Sequence, residues 1–389
     1  MSRAPVSGKK PRICFLAYHL SPNDARFLKL RAALQKNGFE VAAVAPAIGP
    51  LANGVDRLID GPFSRFAQSM RAHSYTALVA GAFLARRRAA GLVDLVRHHR
   101  PAIILTFDPE ALPTAVRAKR VTGAKLIFDA HEYHSDESPD QPKRGSWVEA
   151  TERDFGPELD GFLTVNQSIA NLYAQDKRIT IPAMVVRNCV DPYPPPLKHD
   201  VLRKALNLPS GAPVLLYHGA LQPWRGLEDL MIIAERLPRD WTVAVIGDGP
   251  LKGKIARQSQ KVKLLDPVPH EELSNWVSRA TLGAILYEGV GQNQRYCLPN
   301  KVWEFAAAGV PVIARDLPEI AKTLQKSGGG WLIKEGEAPE KIAAMIEGLM
   351  PDELRTAGIA ARNFAVANSW ERESAQFIAL CRSFVEIPS

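Results

Sequence analysis

The chain is poor in features that would decide its class at a glance. Of 389 residues only four are cysteine (Cys14, Cys189, Cys297 and Cys381), far apart and without a CxxC pair or zinc spacing. That excludes a disulfide scaffold and favours a reducing compartment. No apolar run is long enough to span a bilayer: the longest, Tyr75–Ala85, ends in Arg86-Arg87-Arg88. The basic start MSRAPVSGKKPR leads directly into a strand-like run, without the apolar core of a signal peptide, so the expected location is cytoplasmic. There is no P-loop, nucleophile-elbow serine or kinase motif set, which argues against NTPase and hydrolase chemistry. Nor is there an internal repeat.

The composition is that of a soluble globular protein, 46% hydrophobic and 23% charged, long enough for two domains with separate cores. The net charge of +8 is unevenly placed, with ten Arg or Lys against three acids between Phe63 and Arg120. No nucleic-acid motif accompanies this charge, and no aromatic residues interleave with it. In Phe63–Arg100 scattered Phe, Leu, Val and Met mix with seven arginines and the single acid Asp94, a pattern that fits an anionic membrane surface. The plainer alternative is a cationic helix packed on a sheet.

Apolar runs alternate with helical periodicity throughout. The expected strands are Arg12–Ala17, Glu40–Ala45, Ala102–Phe107, Lys125–Ala130, Phe162–Val165 and Met184–Arg187, with helices at Ala25–Asn37, Leu112–Val121 and Gln167–Gln175. Asp191–Leu197 (DPYPPPL), with four prolines in seven residues, is a semi-rigid break. The alternation then restarts with strands Val214–Tyr217, Thr242–Ile246, Val262–Leu265 and Leu282–Leu286, and helices Leu227–Arg236, Leu251–Ser259 and Glu271–Arg279. Helices Ala338–Gly348, Asp352–Ala367 and Glu371–Val385 close the chain. Such alternation predicts an α/β protein with right-handed crossovers and parallel sheets, whose ligands bind at the carboxyl ends of strands. The expected division is 1–190, a linker at 191–197, 198–368, and a terminal helix at 369–389 returning to the first domain.

The most informative stretch is LPNKVWEFAAAGVPVIA, Leu298–Ala314. Pro299 suits the first helical position, Gly309 the left-handed stop, and Val312-Ile313-Ala314 a short buried strand. Val302, Phe305 and Ala306 fall on one buried face. A helix entered there leaves the N–H groups of Asn300, Lys301 and Val302 without intrahelical partners at its positive end, where Lys301 adds a charge, an arrangement suited to a diphosphate. Glu304, one turn on, could accept two ribose hydroxyls. The plainer alternative is an amphipathic helix with a solvent-facing Lys301–Glu304 pair.

Three other strand ends carry polar motifs. HGALQPWRG, His218–Gly226, has small residues for a close turn, including Gly219, and Arg225 with a fork suited to phosphate. GDGP, with Gly247 and Gly249, lacks the third glycine of the dinucleotide fingerprint and indicates only a tight turn. DAHEYHSDE, Asp129–Glu137, has H-E-x-H spacing in place of the one-turn H-E-x-x-H pair, so no metal is expected there. His131 could reach a hydroxyl or a phosphate, or be a structural histidine.

In order and spacing these segments resemble the retaining glycosyltransferase family 4 with the GT-B fold, two Rossmann-like domains whose parallel sheets face across a cleft. The resemblance covers almost the whole chain and is strongest from Tyr217 to Glu319; FDAHEY and LTVNQSIANLY carry it in the first half. It implies a nucleoside-diphosphate sugar held mainly by the C-terminal half, with Gly219, Gly247, Gly249 and Tyr296 among the donor-binding positions, His131, Arg225 and Lys301 as the catalytic ones, and no cofactor or metal. Glu304 matches the second glutamate of the family's E-x7-E motif, which holds the ribose, and Asn300 and Lys301 the diphosphate-binding positions. Arg225 matches the basic residue before glycine that pairs with phosphate. His131 falls near the donor sugar, and Arg26, Asp108 and Glu132 are the acceptor-side candidates. Three positions depart from the pattern: Tyr296 replaces the first motif glutamate, Ala220 a strand-end arginine, and Phe107 a histidine before Asp108.

The resemblance implies retaining transfer to an acceptor hydroxyl, with a lipid-linked or polysaccharide acceptor, in bacterial surface polysaccharide or glycolipid synthesis, on the cytoplasmic side of the membrane. The rival reading is a non-catalytic sugar-nucleotide-binding or scaffold subunit of a glycan synthesis complex.

Overall fold

A computed structural model describes residues 10–18, 20, 24–46, 55–58, 88–136, 142–195, 199–259 and 261–385. The chain forms two compact units, Met1–Val186 with Ser374–Ser389, and Arg187–Glu373.

In the first unit the strands are β1 (Arg12–Leu16), β2 (Glu40–Pro46), β3 (Val55–Leu58), β4 (Ile103–Thr106), β5 (Lys125–Ala130), β6 (Gly161–Thr164) and β7 (Met184–Val185). They form a parallel sheet in the order β3-β2-β1-β4-β5-β6-β7. Chain order reverses at β1, between β2 and β4, so the loops after β1 and β4 open a crevice. Side-chain caps start the helices where the sequence offers them: Asp24 accepts from the Phe27 N–H at 2.8 Å and Asn166 from that of Ile169 at 2.8 Å. Helix Ala25–Lys36 then buries Phe27, Leu30, Ala33 and Leu34, the stripe its spacing predicts.

Of the basic stretch Phe63–Arg100 only 88–100 belongs to the described residues. It is a helix over 88–99 that buries Leu92, Val93 and Val96, while Arg97 pairs with Asp94 at 3.1 Å on its exposed side. The remainder of that stretch, with its expected membrane contact, lies outside the described residues. Among the described residues no helix is long and apolar enough to cross a membrane.

The second unit contains β8 (Val214–His218), β9 (Thr242–Ile246), β10 (Val262–Leu265), β11 (Leu282–Ile285), β12 (Val312–Arg315) and β13 (Gly330–Ile333), all parallel, in the order β10-β9-β8-β11-β12-β13. Its reversal point is β8, between β9 and β11. Successive β8 residues alternate between two cores: Val214 and Leu216 join one that includes Trp303, and Leu215 and Tyr217 join the other. The proline-rich segment belongs to this unit. Tyr193 donates its N–H to the Ala307 carbonyl at 3.1 Å, and Arg362 reaches the Tyr193 carbonyl at 2.7 Å.

The helix expected from Pro299 runs Asn300–Ala308, with Pro299 as its N-cap and Gly309 as its left-handed C-cap. It is buried from Lys301 to Ala307, on more than the one predicted face. The reason is a second layer: helix Pro351–Ala367 packs on its outer side, where Phe364 stacks on Trp303 at 5.7 Å between ring centroids.

Candidate functional site

The groups suited to a diphosphate gather at the reversal point of the second sheet. Gly226 adopts a left-handed backbone (φ +73°), where a Cβ would lie 2.7 Å from the Leu286 carbonyl carbon and nearer still to its oxygen. Only glycine lets this turn press against the end of β11. The Glu288 N–H donates to the Trp224 carbonyl at 3.0 Å and closes the same contact. Arg225 is thereby fixed over the Tyr287 ring, its guanidinium carbon 4.3 Å from the centroid.

Lys301 is buried, 7% exposed, and its ammonium donates to the Tyr287 hydroxyl at 2.9 Å. The same ammonium stands 4.7 Å from the Tyr217 ring centroid and 5.2 Å from that of Tyr287. Gly219 faces it across a gap that a Cβ would narrow to 3.0 Å. Burial lowers the Lys301 pKa, with Arg225 acting in the same direction, while Tyr217 and Glu304 oppose the shift. The solvent-facing Lys301–Glu304 pair is therefore corrected: both residues are buried, and the ammonium meets a tyrosine.

Asn300 and Lys301 open a helix that has no side-chain cap, so its first N–H groups and the positive end of its dipole lie in the same turn as Lys301. The Val302 N–H, expected to be open, instead bonds the Pro299 carbonyl at 3.0 Å. Glu304, also 7% exposed, has a carboxylate oxygen 3.7 Å from His218 Nε2. Burial, aided by the Lys301 charge, pushes the His218 pKa well below its usual value and keeps the ring neutral. His218 and the two tyrosines are the residues the sequence reading passed over. Its one available signal was a polar residue at the end of an apolar strand.

Tyr296 ends the short helix Gln292–Tyr296 and is partly buried. Gly247 and Gly249 lie behind the site, their α-carbons against the backbones of Gly219 and Leu221. There the Gly219 N–H reaches the Ile246 carbonyl at 2.8 Å, and the Leu221 N–H that of Asp248 at 2.9 Å. The GDG turn thus shapes the loop after β8.

At the reversal point of the first sheet, Asp108 accepts from the Tyr18 N–H at 2.7 Å and ties the loop after β1 to that after β4. His131, just past β5, packs edge-on to Phe107 at 5.9 Å and to His134 at 5.5 Å. Its Nδ1 is buried and has no hydrogen-bond partner among the described residues, which suits a ring that meets a ligand. Arg26 and Asp129 are in the interior, 4% and 0% exposed. Arg26 donates to both carboxylate oxygens at 2.9 and 3.0 Å and to the Val186 carbonyl at 2.7 Å. Glu132 is partly exposed, and its carbonyl accepts from the Tyr173 hydroxyl at 3.4 Å. Among the described residues no three His, Cys, Asp or Glu are grouped to hold a metal ion.

The family model for glycosyl transferases group 1 matches residues 212–352, and that for the glycosyl transferase 4-like domain matches residues 24–189. D-inositol 3-phosphate glycosyltransferase 1 of Catenulispora acidiphila is 27% identical over 211 residues, 49% of each chain. The GDP-mannose-dependent alpha-mannosyltransferase of Mycolicibacterium smegmatis is 27% identical over 181 residues, 45% of this chain and 44% of that one. The chain therefore spans about half the length of the curated relatives it matches. Among solved structures, sucrose-phosphate synthase from Thermosynechococcus elongatus gives a TM-score of 0.73 at 17% identity, over 96% of this chain and 99% of that one. Anabaena HepE in complex with UDP and glucose gives 0.69 at 16% identity, over 96% of this chain and 100% of that one. Likeness at such identities shows the fold alone.

Proposed function

The chain belongs to the GT4-type glycosyltransferases of GT-B fold, and from that premise we propose that it moves a glycosyl group from a nucleoside-diphosphate sugar to an acceptor hydroxyl with retention at the anomeric carbon. One observation carries the reading: Lys301 and Arg225 meet around Tyr287 beside the uncapped start of helix Asn300–Ala308, with Glu304 one turn on. As the sugar–phosphate bond breaks, negative charge grows on the departing diphosphate. Two cations and a helix terminus fixed beforehand stabilise that charge with no reorganisation at the moment of reaction. Glu304 accepts the ribose hydroxyls. The freed phosphate oxygen takes the acceptor's proton, so no side-chain base is required, and His131 contacts the donor sugar. With the positive charge supplied by side chains, turnover needs no divalent metal. The solved neighbour with bound UDP and glucose supports a nucleotide-sugar donor. The acceptor is lipid-linked or a polysaccharide, in bacterial surface glycan or glycolipid synthesis at the cytoplasmic membrane face; the basic, apolar-studded stretch Phe63–Arg100 supports this.

Tyr296, where the family carries a glutamate, favours a second reading in which the chain binds sugar nucleotides within a synthesis complex without turning them over. A thermal-shift screen of UDP- and GDP-sugars, followed by assay of the stabilising donor for transfer and hydrolysis, tests both. A donor at about a hundred times its Kd adds about 2.7 kcal/mol to the folded state. Stabilisation with sugar transfer supports the enzyme, stabilisation without any turnover supports the second reading, and no stabilisation by any donor contradicts both.

A further inference from the structure

Tyr287 lies 3% exposed two residues past β11, with its ring in the core that includes Trp303 and Phe305. Its hydroxyl nevertheless accepts the Lys301 ammonium at 2.9 Å, and its ring carries the Arg225 guanidinium 4.3 Å from the centroid. Two like charges, which repel each other, are thus held close to one side chain. The phenol oxygen is a fixed acceptor for one, and the negative ring face attracts the other. Lys301 has a further aromatic face 4.7 Å away in Tyr217, whereas Arg225 has its ring contact with Tyr287.

We propose that Tyr287 is a positioning residue for diphosphate binding: it bridges Lys301 and Arg225 and fixes the spacing at which both cations meet one diphosphate. The inference rests on the nucleotide-sugar reading above and adds to it a residue that no phosphate-binding motif of the sequence contains. Tyr287 does not touch the ligand; it acts through the two cations. It follows that its hydroxyl matters for a ligand long enough to engage both cations and little for one that engages a single cation. Burial and Arg225 both disfavour the charged form of Lys301, and Tyr217 and Glu304 oppose them, so what Tyr287 adds is the geometric link between the two cations.

The test is calorimetric titration of the full chain and its Tyr287→Phe and Tyr287→Leu variants with UDP, GDP, UMP and GMP, alongside their melting temperatures. Tyr287→Phe keeps the ring and removes only the acceptor. It should weaken diphosphate binding about tenfold and monophosphate binding less than about threefold, the loss expected for one charge-assisted hydrogen bond. Tyr287→Leu, which also removes the ring face, should weaken the diphosphate further. With a competent donor, the Phe variant should lose more in kcat than it gains in KM, because the diphosphate charge is greatest in the transition state. The inference is overturned if Tyr287→Phe binds diphosphate within about twofold of wild type. It is also overturned if mono- and diphosphate affinities fall equally in step with melting temperature, as a purely structural tyrosine would have it. If the wild-type chain binds none of the four nucleotides, the nucleotide-sugar reading itself fails, and this inference with it.

Discussion

Replacing Gly226 by alanine perturbs the fold and the candidate phosphate site through a single methyl group. The left-handed backbone at φ +73° costs an alanine about 1–2 kcal/mol. The added Cβ would press on the Leu286 carbonyl, its carbon 2.7 Å away. That carbonyl is backbone at the end of a buried strand and cannot swing aside like a flexible side chain, so overpacking adds about 1–3 kcal/mol. The total is about 2–5 kcal/mol, borne by the unit Arg187–Glu373. For a domain of that size each kcal/mol lowers Tm by roughly 2–4 °C, so the transition should fall by roughly 4–20 °C. Arg225 is the preceding residue, and displacing it from the Tyr287 ring should also weaken nucleoside diphosphate binding by about tenfold in protein that is still folded. Differential scanning calorimetry gives the first quantity, and titration well below the melting temperature gives the second. A Gly226→Ala protein that melts within about 1 °C of wild type and binds diphosphate equally well would refute the claim that this turn is locked against β11 to aim Arg225.

Glu304→Ala should cost about 2–4 kcal/mol of nucleoside diphosphate affinity with the fold intact, since it removes two hydrogen bonds to an ionised acceptor; equal affinities by calorimetry would take Glu304 out of the site. Arg26→Leu leaves the Asp129 carboxylate buried and uncompensated, and chemical denaturation should show a loss of about 3–5 kcal/mol. Transfer activity should survive excess EDTA; complete loss restored by Mn²⁺ or Mg²⁺ would show that a metal takes part. In liposome flotation the protein should rise with acidic vesicles at low salt and be released as salt increases, and replacing Arg86, Arg87 and Arg88 together by Glu should abolish this; a wild-type protein that stays in the soluble fraction under those conditions contradicts the membrane reading.

What could be read from the sequence was local. Pro299 and Gly309 bound the central helix within a residue, and the alternating apolar segments give the two parallel sheets, because caps and periodicity are properties of neighbouring residues. Short or polar elements escaped. β3 (VDRL) has a single pair of apolar residues, β13 (GWLI) begins on glycine, and helix Pro142–Phe155 carries many charges and few apolar residues. At the site, Lys301, Glu304 and Arg225 were legible because each sits in a motif with its own chemistry. Tyr287, Tyr217 and His218 were not, since each ends an apolar strand and becomes meaningful only once β8 lies beside β11 and Lys301 comes between them. Arg26 read as an acceptor-side candidate, and nothing local shows that it pairs in the interior with Asp129, far along the chain. Trp303 escaped the predicted buried face for the same reason: its partner Phe364 is on a helix that the periodicity of Leu298–Ala314 cannot reveal.

The most direct test of the central claim is to incubate the protein with the nucleoside-diphosphate sugar that stabilises it most, supply lipid-linked and oligosaccharide acceptors, and read the anomeric configuration of the product by NMR. Transfer with the donor's configuration retained, lost in Lys301→Met without loss of fold, is the predicted result. An inverted product, or undiminished transfer by folded Lys301→Met, would contradict it.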